Sequence, residues 1–188
     1  MMTGYTTACM RIVFDKQFGM FDEMLIAPIP RRSIVLGYML SALTRAFIQG
    51  WLFLSIAVLL AGASFQGGVT SIALVSFLII ITTLGFTGIG TALASRLEEM
   101  ESVFMTSQIM IFPLFFVSGA IWPLEGLPDW MRPIAVINPL TYATDAMRNV
   151  ILKGTANWLA IGFDILILSC FASVMFLIGA YLFRKAAK

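Results

Sequence analysis

At 188 residues, with 60% of them hydrophobic and only 12% charged, the chain has too little polar surface to clothe a water-soluble domain, where about 25% charge is usual. Its mean hydropathy of +0.94 comes from apolar runs of membrane-spanning length, which excludes soluble and disordered classes and predicts an all-α, polytopic transmembrane helix bundle. A net charge of +2 is too small to indicate nucleic acid, and the absence of histidine argues against zinc–histidine sites and serine–histidine proteolysis.

Residues 1–10 (MMTGYTTACM) are small and apolar but cover less than half a bilayer, and they read as the stub of a span whose beginning is missing. Residues 14–27 (FDKQFGMFDEMLIA) then form one short amphipathic helix. Phe14, Phe18, Phe21 and Leu25 recur at helical spacing on one stripe, with Asp15, Lys16, Asp22 and Glu23 on another face. Pro28 and Pro30 end the helix, and Arg31 and Arg32 mark the membrane boundary. Two readings stand on pattern alone: a helix that lies on lipid, or a force transmitter whose aromatic knobs enter a groove on a partner.

Complete spans come next at 34–62, 69–94, 103–122 and 158–183. About 20 residues cross the ~30 Å hydrocarbon layer, so the first run is too long to stand upright. Its cytoplasmic turns are expected to leave the lipid and lift Arg45 to the headgroups or into the protein interior. In the second span, Gly85-Phe86-Thr87-Gly88-Ile89-Gly90-Thr91 has a superficial likeness to a phosphate loop but lacks its strand and lysine, and reads as small residues for close helix approach. Arg96, Glu98, Glu99 and Glu101 form the next loop, either as solvated charge or as a contact with a partner. Cys9 and Cys170 read as small buried hydrophobes.

Lys and Arg counted by loop set the orientation. Arg11, Lys16, Arg31, Arg32, Arg96, Arg184, Lys185 and Lys188 collect on one side, and only Arg132, Arg148 and Lys153 on the other. That asymmetry puts the C-terminus in the cytoplasm and the long segment 123–157 outside.

Pro113 is expected to interrupt the third span, and Pro123, Pro128, Pro133 and Pro139 crowd into the segment beyond it. Residues 118–123 should be a broken helix end, Leu127-Pro128-Asp129-Trp130 a turn, and Asn138 the N-cap of a helix that begins with Pro139. Leu140, Ala143, Met147, Val150 and Ile151 give that helix an apolar side, and Asp145 and Arg148 are spaced to pair. It either rests on the outer leaflet or forms a re-entrant hairpin that closes a translocation path. Asp164, inside the last span, is either a bundle-facing functional acid or one that snorkels to the outer interface.

The run Asp15-Lys16-Gln17-Phe18-Gly19, with Glu23-Met24-Leu25-Ile26-Ala27-Pro28 and then Ile34-Val35-Leu36-Gly37, resembles the cytoplasmic motif of ABC-2-type exporter permeases. Within them it is most similar to the daunorubicin-resistance and nodulation lipo-oligosaccharide subgroup. Ser118-Gly119, Pro123, Leu127-Pro128, Trp130, Asn138-Pro139-Leu140-Thr141-Tyr142, Asp145 and Arg148 are similar to the second signature of the same family. The resemblance implies that Phe14, Asp15, Phe18, Gly19, Phe21, Glu23, Met24 and Leu25 couple to a nucleotide-binding ATPase subunit; for Arg96, Glu98, Glu99 and Glu101 solvated loop charge and a second contact with that subunit both stay open. It places Ser118, Gly119, Pro123, Pro128, Asn138, Pro139, Tyr142, Asp145 and Arg148 at the re-entrant segment or pathway; Pro113, by its expected break of the span, and Asp164, in the first of its two readings, join them on the residues alone.

By that resemblance the chain is expected to be the permease subunit of an ATP-driven exporter in the cell membrane, paired with a second permease copy and moving an amphipathic drug, glycolipid or polysaccharide. It carries no Walker lysine motif, so ATP would be bound and hydrolysed by a partner chain, and no cofactor or metal is expected here. Family members usually have six spans, so an N-terminally truncated fragment that cannot transport is the alternative. A membrane enzyme of lipid head-group transfer is a third reading. Its only carboxylate cluster would be Glu98, Glu99 and Glu101, which lack the repeated aspartate spacing of metal–phosphate chemistry.

Overall fold

The computed structural model describes residues 2–26, 30–61, 68–121, 126, 128–152 and 158–186, and every element among them is helical. In chain order these are α1 (Thr3–Gln17), α2 (Met20–Ile26), α3 (Arg31–Ala61), α4 (Gly68–Ala94), α5 (Met100–Val117), α6 (Arg132–Ile137), α7 (Pro139–Leu152) and α8 (Trp158–Ala186). Four of them, α3, α4, α5 and α8, are long and apolar enough to cross a bilayer.

The bundle is organised around α4. Of the most apolar window of α4, 56% is buried, against 6% for α3 and 17% for α5 and α8, so the other helices turn most of their apolar surface outward, as a lipid solvent allows. Glycines set how closely the neighbours approach. A Cβ built on Gly88 would stand 2.5 Å from the Met175 carbonyl oxygen of α8, and one on Gly179 would stand 2.6 Å from the Gly88 carbonyl oxygen. On another side of α4, a Cβ on Gly90 would meet the Tyr5 carbonyl of α1 at 2.5 Å. Backbones pack on backbones here, which confirms the close-approach reading of the Gly85–Thr91 run.

Two expected elements differ. Residues 14–27 are not one helix: α1 absorbs the apolar stub and runs on to Gln17, and the chain breaks at Phe18-Gly19, where Gly19 takes φ +75°. Glycine reaches that left-handed conformation without a Cβ clash, and it terminates α1 as a helix C-terminus commonly ends. A single aromatic stripe cannot continue across the break. Pro113 likewise does not interrupt α5, which carries it internally and ends at Val117. The stop comes from Gly119, at φ +74°.

Cys9 is fully buried as expected, but Cys170 lies on an exposed face of α8. Arg45 stays on the exposed face of α3 and does not turn into the protein interior.

Candidate functional site

The end of the bundle that carries the first motif is clamped by consecutive residues at the end of α1. Asp15 is 0% exposed and accepts a 2.7 Å hydrogen bond from the Tyr38 hydroxyl of α3. The Arg11 guanidinium, one turn earlier on α1, lies 3.5 Å away. Lys16 points the other way and donates from Nζ to the carbonyls of Ala94 at 2.7 Å and Ser95 at 3.3 Å, where the last carbonyls of α4 have no helical donor and favour a cation. Burial lowers the Lys16 pKa from the ordinary lysine value, with the Glu98 charge partly opposing the shift. Gln17 then donates to the Glu98 carbonyl at 3.0 Å. The first motif and the Arg96–Glu101 loop, 80 or so residues apart by the sequence separations of these bonds, therefore form one unit.

What this unit leaves outward is small. Phe18 is 65% exposed at the α1–α2 turn with its ring 4.3 Å from that of Phe14. Gly19 and Glu23 beside it are exposed as well. Phe21 instead turns inward from α2, 8% exposed, and meets Phe183 near the end of α8 edge-on at 5.5 Å. Met24 is half-buried, its sulfur 3.6 Å from the Tyr38 hydroxyl.

Of the residues assigned to coupling, Asp15 and Phe21 are thus corrected to interior positions. Asp15 can be buried because the Tyr38 hydroxyl and the Arg11 guanidinium meet its carboxylate there, and Phe21 leaves the Phe14–Phe18 stripe because the Gly19 break interrupts the helix between them. The Leu25 and Asp22 side chains lie outside the described residues, as do residues 27–29 with Pro28. Glu98 and Glu99 are exposed in the loop, and Glu101 sits in the first turn of α5, where the helix dipole favours a carboxylate.

At the opposite end, α5 and α7 are tied together. Asn138 is 3% exposed and bridges two helices: its Oδ1 accepts from the Leu140 backbone N–H at 3.0 Å, capping α7, and its Nδ2 donates to the Leu114 carbonyl of α5 at 2.7 Å. The N-cap expectation is met, and the Leu114 bond goes beyond it. Arg148 donates to the Gly119 carbonyl at 2.8 Å and holds Asp145 only loosely, at 3.7 Å, so its backbone contact is the stronger one. Tyr142 donates to the Val136 carbonyl at 2.7 Å. Ser118 closes the α5 end by donating to the Phe115 carbonyl at 2.7 Å.

The two parts of the second motif, Ser118-Gly119 and Asn138 to Arg148, therefore meet in space. Pro128 is exposed, Pro139 starts α7, and Pro123 and Leu127 lie outside the described residues. Asp164 is 8% exposed on α8, within electrostatic reach of Asp145 on α7, and so faces the bundle.

Sequence reasoning missed Tyr38, Phe183 and the capping roles of Lys16 and Gln17. A tyrosine one or two turns into a span that comes after a buried acid was the available signal for Tyr38. Nothing local marks a lysine as the cap of a helix so distant in sequence.

A family model described as ABC-2 type transporter matches residues 1–152. The chain is 27% identical over 139 residues to "Probable multidrug ABC transporter permease YbhR" of Escherichia coli strain K12, a match covering 74% of this chain and 37% of that protein. It is 28% identical over 162 residues to "Daunorubicin resistance ABC transporter permease protein DrrB1" of Streptomyces coeruleorubidus, covering 86% of this chain and 56% of the relative. With "Putative transport permease ycf38" of Porphyra purpurea it shares 27% identity over 148 residues, covering 79% of this chain and 50% of that one. The chain thus spans about half or less of the length of several curated relatives it matches.

Proposed function

Starting from the fact that this chain belongs to the ABC-2 type transporter family, we propose that it serves as the membrane subunit of an ATP-driven exporter in the cell membrane, its C-terminus in the cytoplasm. Half of the path would come from this chain and half from a second permease copy. ATP would be bound and hydrolysed by a separate subunit docked at the α1–α2 turn. The substrate class is an amphipathic drug, glycolipid or polysaccharide, a reading supported by relatives named for multidrug and daunorubicin resistance.

The observation that carries the coupling reading is the clamp at the end of α1. Phe18, Gly19 and Glu23 are the outward surface of a unit whose inner side is fastened to α3 by Asp15–Tyr38, to α4 by Lys16 and to α8 by Phe21–Phe183. A push on Phe18 reaches three helices through direct contacts. A loosely lying interfacial helix would not need such attachments. At the far end, Asn138 and Arg148 fasten the closing segment to α5, so the bundle can tilt while its outer end stays shut until those bonds part.

The test is co-purification of the ATPase subunit with Phe18→Ala and Glu23→Ala variants, alongside drug or lipid export by cells that carry them. Loss of association and export with normal membrane insertion is the expected result, and association and export both at the parental level would overturn the coupling role. The membrane-enzyme reading has no observation in its favour, since among the described residues Glu98, Glu99 and Glu101 are not gathered with other ligating side chains.

A further inference from the structure

A cleft of about 540 Å³ is lined by residues of α1 and α3, Arg11, Asp15, Tyr38, Ser41 and Arg45 among them. A second hollow of about 290 Å³ shares Thr7, Arg11 and Arg45 with it and is otherwise walled by Thr6 and the apolar side chains of Met10, Phe14 and Met100. The two arginines therefore stand where the hollows meet.

Their environment is unusual for a membrane helix. Among the described residues Arg11 has one ion-pair partner, Asp15. Arg45 is exposed and has no ion-pair partner among the described residues. Counting about 20 residues back from Ala61 puts the cytoplasmic edge of the hydrocarbon near Ser41. Arg45 then lies about one turn, ~6 Å, inside that edge. A guanidinium at this depth without a protein anion needs an anion from its surroundings or a path to water.

Charge and shape point to the same occupant. Arg11 and Arg45 outweigh Asp15, which also lines the cleft, by one positive charge, and one oxygen of the Asp15 carboxylate is already engaged by the Tyr38 hydroxyl and the Arg11 guanidinium. Two planar guanidinium forks, with the Thr7 hydroxyl in the lining of both hollows beside them, suit the several oxygens of a phosphate. The apolar wall of the smaller hollow suits an acyl chain. We propose that this cleft binds a phospholipid of the cytoplasmic leaflet by its phosphate, Arg11 and Arg45 clamping the head group. The site requires that the bundle lie in a membrane with its basic end in the cytoplasm but does not require export, so its failure would leave the transport reading untouched.

Native mass spectrometry of the full chain released from micelles tests this directly, with phosphatidylglycerol, a galactolipid of the same acyl chains but no phosphate, and inorganic phosphate as probes. Phosphatidylglycerol should remain as a one-to-one adduct, and Arg45→Gln should lower its occupancy about tenfold, as expected for losing a charge-assisted contact. Arg45→Lys should lose less, and Arg132→Gln, at the outer end, should lose nothing. Arg11→Gln should act like Arg45→Gln; because it also frees Asp15, the Arg45 variant, whose side chain supports no other described residue, decides the case if the Arg11 variant does not fold. Equal retention of the galactolipid, unchanged occupancy in Arg45→Gln, or displacement of the lipid by inorganic phosphate at low concentration would each overturn the proposal.

Discussion

Tyr38 donates its phenolic hydrogen to Asp15 at 2.7 Å across the α1–α3 contact, and this buried bond joins the first motif to the first full span. Asp15 has only Tyr38 and, more distantly, Arg11 to balance its charge, and its other oxygen, Oδ1, has no hydrogen-bond partner among the described residues. Removing the donor therefore leaves a buried carboxylate with too few partners. Tyr38→Phe should destabilise the bundle by about 1–2 kcal/mol, between the average for interhelical bonds in membranes and the cost of an orphaned buried acceptor. Cys9, 0% exposed in the same core, supplies a reporter: with Cys170 replaced by Ser, maleimide should label Cys9 faster in Tyr38→Phe than in the parent. Equal labelling rates would mean that the bond does not hold α1 in place.

The spans were legible because a bilayer imposes length and hydropathy on any helix that crosses it, and α4 and α8 begin within one residue of where the apolar runs begin. Breaks were harder to read. Pro113 reads as an interruption of the third span, yet the chain carries it inside α5 and stops at Gly119. Proline removes one donor and is tolerated when neighbours or local adjustment satisfy the freed carbonyl, whereas a left-handed residue turns the chain off its axis. Gly19 hid inside an apparently regular stripe for the same reason. Inside and outside at the α1–α2 turn depended on contacts with α3, α4 and α8, which no local spacing encodes. Asn138 was readable as a cap because capping is local; its second bond, to Leu114, was not.

The α4–α8 contact should tolerate no added methyl group at its two crossing glycines. A Cβ at Gly88 or Gly179 meets backbone atoms at 2.5 Å and 2.6 Å, and backbone cannot rotate out of the way as a side chain can. Gly88→Ala and Gly179→Ala should each cost about 1–3 kcal/mol through overpacking. Gly37, on α3, has open space where its Cβ would stand, so Gly37→Ala should be neutral or stabilising by up to about 1 kcal/mol from helix propensity alone. Thermal unfolding in detergent would separate these cases. A loss of stability at Gly37 equal to that at Gly88 would show that helix packing is not the cause.

Asn138 is predicted to carry two separable contributions. Asn138→Ser keeps a hydroxyl to cap α7 but cannot reach Leu114, while Asn138→Ala loses both contacts. The Ser variant should lose about 1 kcal/mol for the interhelical bond, and Ala should lose about 1 kcal/mol more for the cap. Hydrogen exchange at the Leu140 amide, which donates to the Asn138 side chain, reads the cap by itself: protection should fall in Ala and persist in Ser. Identical stability and exchange in the two variants would mean that Asn138 acts through only one of its two bonds.

The Lys16 clamp predicts a local opening that can be measured without any transport assay. Its ammonium satisfies the Ala94 and Ser95 carbonyls at the end of α4, and Arg96, exposed just beyond, is a natural site for trypsin. When opening and closing are fast, cleavage tracks the population of the open state. Lys16→Met, which keeps the length and removes the donors, should free the end of α4 by about 1 kcal/mol and speed cleavage after Arg96 about fivefold. Lys16→Arg, which can still donate to two carbonyls, should stay close to the parental rate. Gln17→Ala should show a smaller acceleration, because its bond to the Glu98 carbonyl is neutral and exposed. If Lys16→Met is cut no faster than Lys16→Arg, the charge at the end of α4 is not what fastens the first motif to the second loop, and a push at Phe18 would have to reach α4 by another route.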